Sequence, residues 1–490
     1  MLTLFIILFP FVSAAIILLS PSEYTKKLAV ASGLGTIGLT LVAMGNYQST
    51  QADKIWELNL PWIKSLGISF HVGMDGISLV MLMLSSFVTL MAVLTSLNDK
   101  FAKLPLYYAL LLIMQGAMNG VFVSLDLFIY YIFWELALIP AYFLILMWGD
   151  GETRMTTIKF FLYTLMGSLF MLLGIIWLGN MGPSAGYDIN TIYDLVIGKD
   201  RQLYIFMMFM FAYAIKIPIF PFHTWQPDTY TKAPVAVTIM LSGIMLKMAI
   251  YSIIRWVIPV VPLAVEVYGK YFILAAVVGI LYASMIALVQ KDLKRLFAYA
   301  SIAHVGLITA GILTVTKTGV QGGILQMLAH GVNVVGLFYI TQILRRYKGT
   351  NEITAFGGIR ITAPVFAGFY MVIMFGSIAL PLTNGFPGEF MLLNALYQTY
   401  PWMSLVAASG VILGAVYMLV SYQKVMSGEI PDGDGGVPAL NNIDKLVFIP
   451  VILMILAAGL FPQWIMNISD GSVDKIINLY QTEVNTFLNK

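Results

Sequence analysis

Long apolar runs separated by short polar connections dominate the chain from its first residues to its last hundred. Each run is about 17–25 residues long, which is the length that an α-helix needs to cross the hydrocarbon core of a bilayer. The pattern predicts fourteen membrane spans. Their approximate bounds are 2–20, 27–46, 77–97, 106–124, 127–148, 155–179, 203–220, 233–257, 271–290, 293–314, 321–345, 362–399 with a break near 381–387, 403–424 and 446–466.

The composition agrees with this pattern. The chain has 490 residues, of which 59% are hydrophobic and 10% charged, and a mean hydropathy of +0.87, well outside the range of soluble domains. We therefore predict an all-α polytopic membrane protein. The segment 1–20 is predicted as the first span and not as a signal peptide, because no positive residue precedes the apolar run and the run continues for about a full membrane thickness.

Several classes of chemistry are excluded by the residue types that are missing. The chain has no cysteine, so thiolate-held iron–sulfur clusters, disulfides and zinc–cysteine sites are not possible in it. Its net charge of +3 is small, and no basic run resembles a nucleic-acid-binding patch. It has no phosphate-binding glycine loop, nucleophile elbow or HExxH motif. We expect no cofactor, no metal ion and no nucleic-acid partner, and we expect any redox chemistry to take place in other chains.

An even number of spans places both termini on the same side of the membrane. Most of the 27 lysines and arginines fall in connections on the other side, including the run KDLKR at 291–295. An excess of this kind marks the cytoplasmic side. We therefore predict that both termini face the periplasm of a bacterial inner membrane, with an organellar membrane as the open alternative.

One connection alternates apolar and polar residues instead of being simply polar. The segment 55–76 contains Pro61 and Gly67 and is predicted to form a short external hairpin. His71 lies within it. We interpret His71 as a surface or hairpin residue and assign it no function.

Four ionisable residues lie deep inside apolar runs, and they are the main candidates for function. A charged side chain at the bilayer centre costs roughly 2.5–3.5 kcal/mol or more, so such residues are functional by default. A carboxylate and an amine that face each other in a low-dielectric bundle can exchange protonation states as their neighbours change. This predicts a proton path, with structural buried ion pairs as the alternative. The four residues are Glu135, Lys216, Lys247 and Glu389.

Two of these residues lie beside interruptions in their helices. The segment KIPIFPFHTW places two prolines after Lys216, and ALPLTNGFPGEF places prolines and glycines before Glu389. Proline and glycine free backbone groups at membrane depth, where transporters place ion sites. The breaks fall in the seventh and twelfth spans, which predicts a five-helix unit used twice in inverted orientation. For a single break, a simple kink is an equally good explanation.

Two histidines lie in consecutive antiparallel spans, in the segments SIAHVGLI and LQMLAHGVNV. Imidazole accepts and donates protons near neutral pH. His304 and His330 are therefore predicted to continue the path between Lys247 and Glu389. The alternative is that each ring is only hydrogen-bonded within the bundle, and no flanking pattern supports haem ligation.

Three segments together resemble a known family. KIPIFPFHTWQPDTYTKAPVAVTIMLSGIMLKMAIY, QKDLKRLFAYASIAHVGLI and LQMLAHGVNVVGLFYI closely resemble the antiporter-like subunits of proton-pumping NADH:quinone oxidoreductase, respiratory complex I. The resemblance extends from about the third span to the thirteenth. Glu at the second break is typical of the chain M type (NADH dehydrogenase subunit 4), whereas the other two large antiporter-like chains carry Lys there.

The resemblance implies fourteen helices with two inverted five-helix repeats and two discontinuous helices. It implies that Glu135 and Lys216 form a modulating pair, that Lys247, His304 and His330 form the central relay, and that Glu389 is the terminal carrier. The loop QPDTYTKAP departs from the usual LPDAHTEAP, since Gln226, Thr229, Tyr230 and Lys232 replace Leu, Ala, His and Glu. The roles of these loop positions therefore stay open.

The function expected from the resemblance is proton translocation driven by redox chemistry in partner subunits. Those partners would include two further antiporter-like chains and would hold NAD, FMN, iron–sulfur clusters and quinone. The alternatives are a cation/proton antiporter subunit of the Mrp kind and an arm subunit of a membrane-bound hydrogenase. The predicted domains are N-terminal helices with the hairpin, two antiporter-like repeats, and a C-terminal helix and tail. They span 1–105, 106–257, 258–425 and 426–490.

Overall fold

A computed structural model of the chain describes residues 1–47, 55–182, 186–429 and 439–488. Helices dominate it, together with one two-stranded antiparallel sheet. In chain order the elements are α1 Leu2–Leu19, α2 Thr25–Gly45, β1 Ile55–Ile63, β2 Ile68–Met74, α3 Gly76–Thr95, α4 Leu104–Val123, α5 Leu127–Trp148, α6 Arg154–Gly179, α7 Ile189–Tyr193, α8 Lys199–Lys216, α9 Trp225–Lys232, α10 Val235–Met240, α11 Leu246–Ser252, α12 Pro262–Leu288, α13 Leu293–Ile312, α14 Lys317–Lys348, α15 Ile359–Thr362, α16 Pro364–Ser377, α17 Gly385–Thr399, α18 Pro401–Met426, α19 Asn442–Leu460 and α20 Gln463–Leu488.

Twelve helical segments in the described part of the chain are long and apolar enough to cross a membrane. One of them is continuous from Val235 to Val257, because π-helical turns follow both α10 and α11. The two interrupted spans are not among the twelve. The all-α polytopic class is confirmed, while the count of fourteen, the inverted repeats and the four-domain division stay predictions.

Both predicted breaks are present. In the first, α8 ends at Lys216 and α9 begins at Trp225. In the second, α16 ends at Ser377 and α17 begins at Gly385, so this break lies a few residues earlier than predicted. Pro387 belongs to the first turn of α17, where a missing backbone N–H is tolerated because that donor has no partner within the helix. Glu389 consequently lies near the start of a helix.

Two buried segments form the centre of the bundle. The most apolar windows of α14 and of the segment Val235–Val257 are completely buried, whereas about two thirds of those in α1, α2 and α18 are not buried within the chain. α14 packs against α3, α13, α16 and α17. Because α14 carries His330 and α11 carries Lys247, the two most enclosed segments hold the centre of the predicted relay.

The C-terminal tail forms the long helix α20, which packs against α3 and α14. It crosses the start of α3 so closely that a Cβ atom added to Gly76 would clash with the backbone carbonyl of Ile468. The hydroxyl of Ser472 accepts a hydrogen bond from the Gly76 backbone N–H at 3.0 Å. Glycine is therefore required at this crossing.

The external hairpin is present as β1 and β2, with Asn59 paired to His71. His71 is not at the surface, however, since it is only 2% exposed. Its ring lies between the carboxylates of Glu57, at 2.5 Å, and Asp188. Burial opposes protonation of the ring, but the hydrogen bonds and charges of Asp188 and Glu57 outweigh it and raise the pKa of His71. His71 belongs to the hairpin, as predicted, but it is not a surface residue, because Asp188, 117 positions away in sequence, packs against its ring.

Candidate functional site

Lys247 lies at the centre of the site and is completely buried. It belongs to α11, directly after the π-helical turn Leu241–Met245; such turns recur at functional sites. Its Nζ atom donates a hydrogen bond to the backbone carbonyl of Ser242 at 2.6 Å and lies 2.6 Å from Nδ1 of His330. The lysine is therefore held between its own helix and α14.

His330 and His304 face each other across α14 and α13, with ring centroids 5.9 Å apart. Nε2 of His330 is buried and has no hydrogen-bond partner among the residues that the structure describes. A small cavity adjoins both rings, together with Gln326, Asn333 and other side chains, and offers ≈ 10 Å³ to the centre of a water molecule. That is about the space of a single water. The two rings can therefore communicate through one bridging water.

Glu389 ends the connected row. Its Oε1 atom lies 3.1 Å from Nδ1 of His304 and accepts a hydrogen bond from Nε2 of Gln326, also at 3.1 Å. The residue is 3% exposed. A second cavity of ≈ 20 Å³ lies on this side of His304 and is lined in part by Glu389 and Tyr417. Contacts thus run from Lys247 to Glu389 through both histidines.

Glu135 and Lys216 are close enough to interact electrostatically, but among the described residues they form no ion pair. Oε1 of Glu135 is buried and has no hydrogen-bond partner in that part of the chain. Lys216 is 3% exposed, and its Nζ atom has no hydrogen bond within the described part of the chain and lies 5.3 Å from the ring centroid of Trp134. Among the described residues no hydrogen bond leads from Lys216 to Lys247. The modulating role of Glu135 and Lys216 stays a prediction.

Gln326 was not among the predicted site residues, although it contacts Glu389. It precedes His330 by four positions on α14, so both lie on the same face of the helix. That spacing was a signal available in the sequence. The chemical reason for its place is that a carboxylate buried in a helix bundle needs donors, and an amide supplies one without adding charge.

A buried ion pair outside the relay was also missed. The carboxylate of Asp75, which caps the start of α3 through the Ser78 backbone N–H, pairs with Arg255. Both side chains are 6% exposed. Arg255 Nε also donates to the hydroxyl of Tyr251 at 3.2 Å. The two residues are far apart in sequence, so only the packing of α3 against the end of the Lys247 segment unites them.

The loop at the first break carries a second charged cluster. Asp228 on α9 pairs with Lys159 of α6 at 3.1 Å and with Arg295 of α13 at 3.3 Å. All three side chains are about one third exposed. The cluster joins three helices, and its exposure favours an anchoring role.

Known proteins resemble this chain along nearly its whole length. Residues 124–414 match the family described as NADH:quinone oxidoreductase/Mrp antiporter, transmembrane. NADH-quinone oxidoreductase subunit M of Rickettsia conorii is 37% identical over 484 residues, covering 96% of this chain and 97% of that protein. The chain belongs to this family. The expected resemblance to the chain M type is confirmed.

Solved structures support the fold of this family member. A chain of respiratory complex I from Thermus thermophilus with bound NADH superposes with a TM-score of 0.90 at 26% identity, covering 98% of this chain and 99% of that one. A chain of the Mrp complex from Dietzia sp. DQ12-45-1b superposes with a TM-score of 0.84 at 20% identity, covering 98% and 97%. At that identity the second likeness concerns the fold alone.

Proposed function

We propose that this chain carries protons across the membrane as a subunit of NADH:quinone oxidoreductase. The observation that supports this most directly is the row of contacts from Lys247 through His330 and His304 to Glu389. Ionisable side chains in lipid are costly and tend to mark ion paths. Here four such side chains lie in a row, and three of them line water-sized cavities, which suits the transfer of protons better than the binding of an organic substrate.

The steps follow from the contacts. A proton leaves Lys247 for Nδ1 of His330, and the proton on Nε2 of the same ring passes to water in the adjoining cavity. His304 takes up a proton from that water and releases one to Glu389 through its Nδ1. Glu389, at the second break, then releases a proton towards the outer face. Each group returns to its starting state, so the chain itself undergoes no net chemical change.

Glu135 and Lys216 act in this proposal as the input that sets the direction of transfer. When the charge on a neighbouring subunit shifts, the proton equilibrium between the two residues shifts with it. The changed field alters the proton affinity of Lys247. Moving one charge against 100 mV requires about 2.3 kcal/mol, which a rearrangement of charges in a low-dielectric bundle can supply.

The redox chemistry belongs to partner subunits in this proposal. NAD, FMN, iron–sulfur clusters and quinone are bound there, and two further antiporter-like chains extend the membrane arm. The chain would lie in a bacterial inner membrane with both termini facing the periplasm, since most basic residues then lie in cytoplasmic connections. The named relatives support this assembly over an Mrp antiporter or a membrane-bound hydrogenase.

The test measures proton pumping and electron transfer in membranes that contain the assembled oxidoreductase. Glu389→Gln keeps the size of the side chain but removes its titratable group, and we expect NADH-driven acidification of inverted vesicles to fall strongly. Glu135→Gln and Lys216→Ala should also reduce it. Wild-type pumping in all three variants would refute the proposal.

Two controls make this test specific. Gln398→Leu alters an exposed side chain of the same helix as Glu389 and should leave pumping unchanged. Vesicles without NADH, given a sodium gradient, should show no proton exchange. Sodium-driven proton exchange without NADH would favour the cation/proton antiporter instead.

A further inference from the structure

A polar cavity opens at the end of the bundle that we assign to the cytoplasm. It offers ≈ 280 Å³ to water and is lined by Asp99, Lys294, Thr341 and Gln342 among others. Nε2 of Gln342 lies 2.9 and 3.0 Å from the two carboxylate oxygens of Asp99. Burial raises the pKa of Asp99 to about 6, so this carboxylate can exchange protons with solvent near neutral pH. The uptake side of the relay needs such a group.

The wall of this cavity includes Pro234 and Val235, where the Lys247 segment begins. Val235 precedes Lys247 by twelve positions, which corresponds to about 18 Å along a helix. The polar cavity and Lys247 are therefore separated by several turns of tightly packed protein. A proton that enters at Asp99 needs polar groups along this distance.

Tyr230 lies inside the separating layer. It is completely buried on α9, and its ring centroid is 6.0 Å from that of Phe338. Phe338 is one turn deeper in α14 than Thr341 and Gln342, which line the polar cavity. The backbone carbonyl of Tyr230 accepts a hydrogen bond from Thr238 at 3.0 Å. This fixes α9 against the first turn of α10.

The hydroxyl of Tyr230 is buried and makes no hydrogen bond within the described residues. The side chain of Ser242 lies beside it. A buried hydroxyl without a partner is unfavourable, and a hydrogen bond to water or to Ser242 removes that penalty. The hydroxyl can therefore exchange a proton when water reaches it from the cavity side.

Ser242 connects this hydroxyl to the relay in two ways. Its hydroxyl lies 3.2 Å from that of Ser301, and Ser301 lines the small cavity between His304 and His330. Its backbone carbonyl accepts the hydrogen bond from Nζ of Lys247 at 2.6 Å. A group that reaches Ser242 is thus one contact away from both parts of the central relay.

We propose that Tyr230 transfers protons from the polar cavity at Asp99 to Ser242 and the Lys247 relay. This inference rests on the proposed function of the chain. The phenol accepts a proton on its oxygen from water on the cavity side and releases its own proton towards Ser242, so that one proton moves inward and the side chain is unchanged. Rotation of the hydroxyl restores the starting state.

The test replaces only the hydroxyl. Tyr230→Phe keeps the ring, and because a positioned proton-transfer group typically contributes about 10²- to 10⁴-fold to its step, we expect the rate of NADH-driven pumping to fall at least about tenfold. Tyr230→His supplies another ring that carries protons and should recover a measurable part of that loss. Ser242→Ala, at the next group along the route, should lower pumping independently of any change at Tyr230.

Tyr370→Phe is the matched control. Tyr370 is also completely buried, and its hydroxyl has no hydrogen-bond partner among the described residues. Its ring approaches Phe297, which lines the small cavity, but it does not lie between the two cavities in our proposal. Its variant should pump at the wild-type rate. If it lost pumping to the same extent as Tyr230→Phe, the effect would reflect packing, and the inference would be wrong.

Glu389→Gln separates the two proposals. Wild-type pumping in Tyr230→Phe, together with lost pumping in Glu389→Gln, overturns the inference and leaves the proposed function intact. Wild-type pumping in Tyr230→Phe and also in Glu389→Gln, Glu135→Gln and Lys216→Ala overturns the proposed function as well. If the amount of assembled complex falls in Tyr230→Phe, the comparison is made with Ser242→Ala, and wild-type pumping there overturns the inference.

Discussion

Nζ of Lys247 lies 2.6 Å from Nδ1 of His330. When the lysine is charged it can only donate, so Nδ1 of His330 must accept and the ring proton must be on Nε2. Nε2 has no hydrogen-bond partner in the described ranges of the chain, and the ring borders the small cavity that it shares with His304. The contact thus fixes the ring state from which a proton moves away from the lysine.

Replacing His330 by phenylalanine tests this arrangement. An aromatic ring remains, but it can no longer accept a hydrogen bond or a proton from Lys247. We therefore expect NADH-driven pumping to be abolished while the complex still assembles. The measurement is the acidification rate of inverted vesicles per assembled complex. His71→Phe, in the external hairpin, is the control and should keep pumping. Normal pumping in His330→Phe would show that protons bypass this ring.

Gln326→Leu tests the support of the terminal carboxylate. Glu389 Oε1 would keep His304 as its only donor among the contacts described here, so we expect slower but measurable pumping. Gln321→Leu is the matched control, because Gln321 lies on the same helix but donates to Asp470 in α20. Equal pumping rates in the two variants would show that the hydrogen bond from Gln326 to Glu389 does not contribute to pumping.

The coupling between Glu135 and Lys216 is best measured by a double-mutant cycle. The two side chains interact without direct contact, so we expect the losses of pumping in Glu135→Gln and Lys216→Ala to be clearly non-additive, since charges that share a field couple. Pumping rates of the single and double variants provide the cycle. Additive losses would show that the residues act independently.

The buried pair of Asp75 and Arg255 is predicted to stabilise the contact between α3 and the Lys247 segment. Arg255→Leu leaves a buried carboxylate unpaired, which costs about 3–5 kcal/mol. The double variant Asp75→Asn/Arg255→Leu should recover much of that loss, because no charge remains and asparagine still caps α3. The apparent Tm of the purified complex is the measurement, and it should be lower for Arg255→Leu than for the double variant. A double variant no more stable than Arg255→Leu would contradict it.

The hairpin should lose stability as the pH rises. The pKa of His71 is raised in the folded protein, so the stabilisation is fully present below the unfolded pKa of about 6.5 and is lost as the pH rises through the folded pKa. Amide protection factors for residues 55–74, corrected for intrinsic exchange, should fall over that range. In His71→Phe the protection factors should not depend on pH in this way. A matching fall in that variant would show that another group causes the pH dependence.

The relation between sequence and structure differs from one residue to the next. Glu135, Lys216, Lys247 and Glu389 could be found from the sequence because the cost of a charge in lipid makes each conspicuous wherever it faces. Gln326 could have been found from its spacing to His330. The contacts of His71 with Asp188 and of Arg255 with Asp75 could not, since these partners are 117 and 180 positions away and no periodicity connects such distances.

The sequence by itself determined that helices cross a membrane, where two of them break, and which ionisable residues lie at depth, because these depend on local hydropathy and on proline and glycine. Only the tertiary structure decided which of those residues touch. Lys247 meets His330 while Lys216 meets the ring of Trp134, because the rotation and packing of each helix against its neighbours set which side chains come within hydrogen-bonding distance.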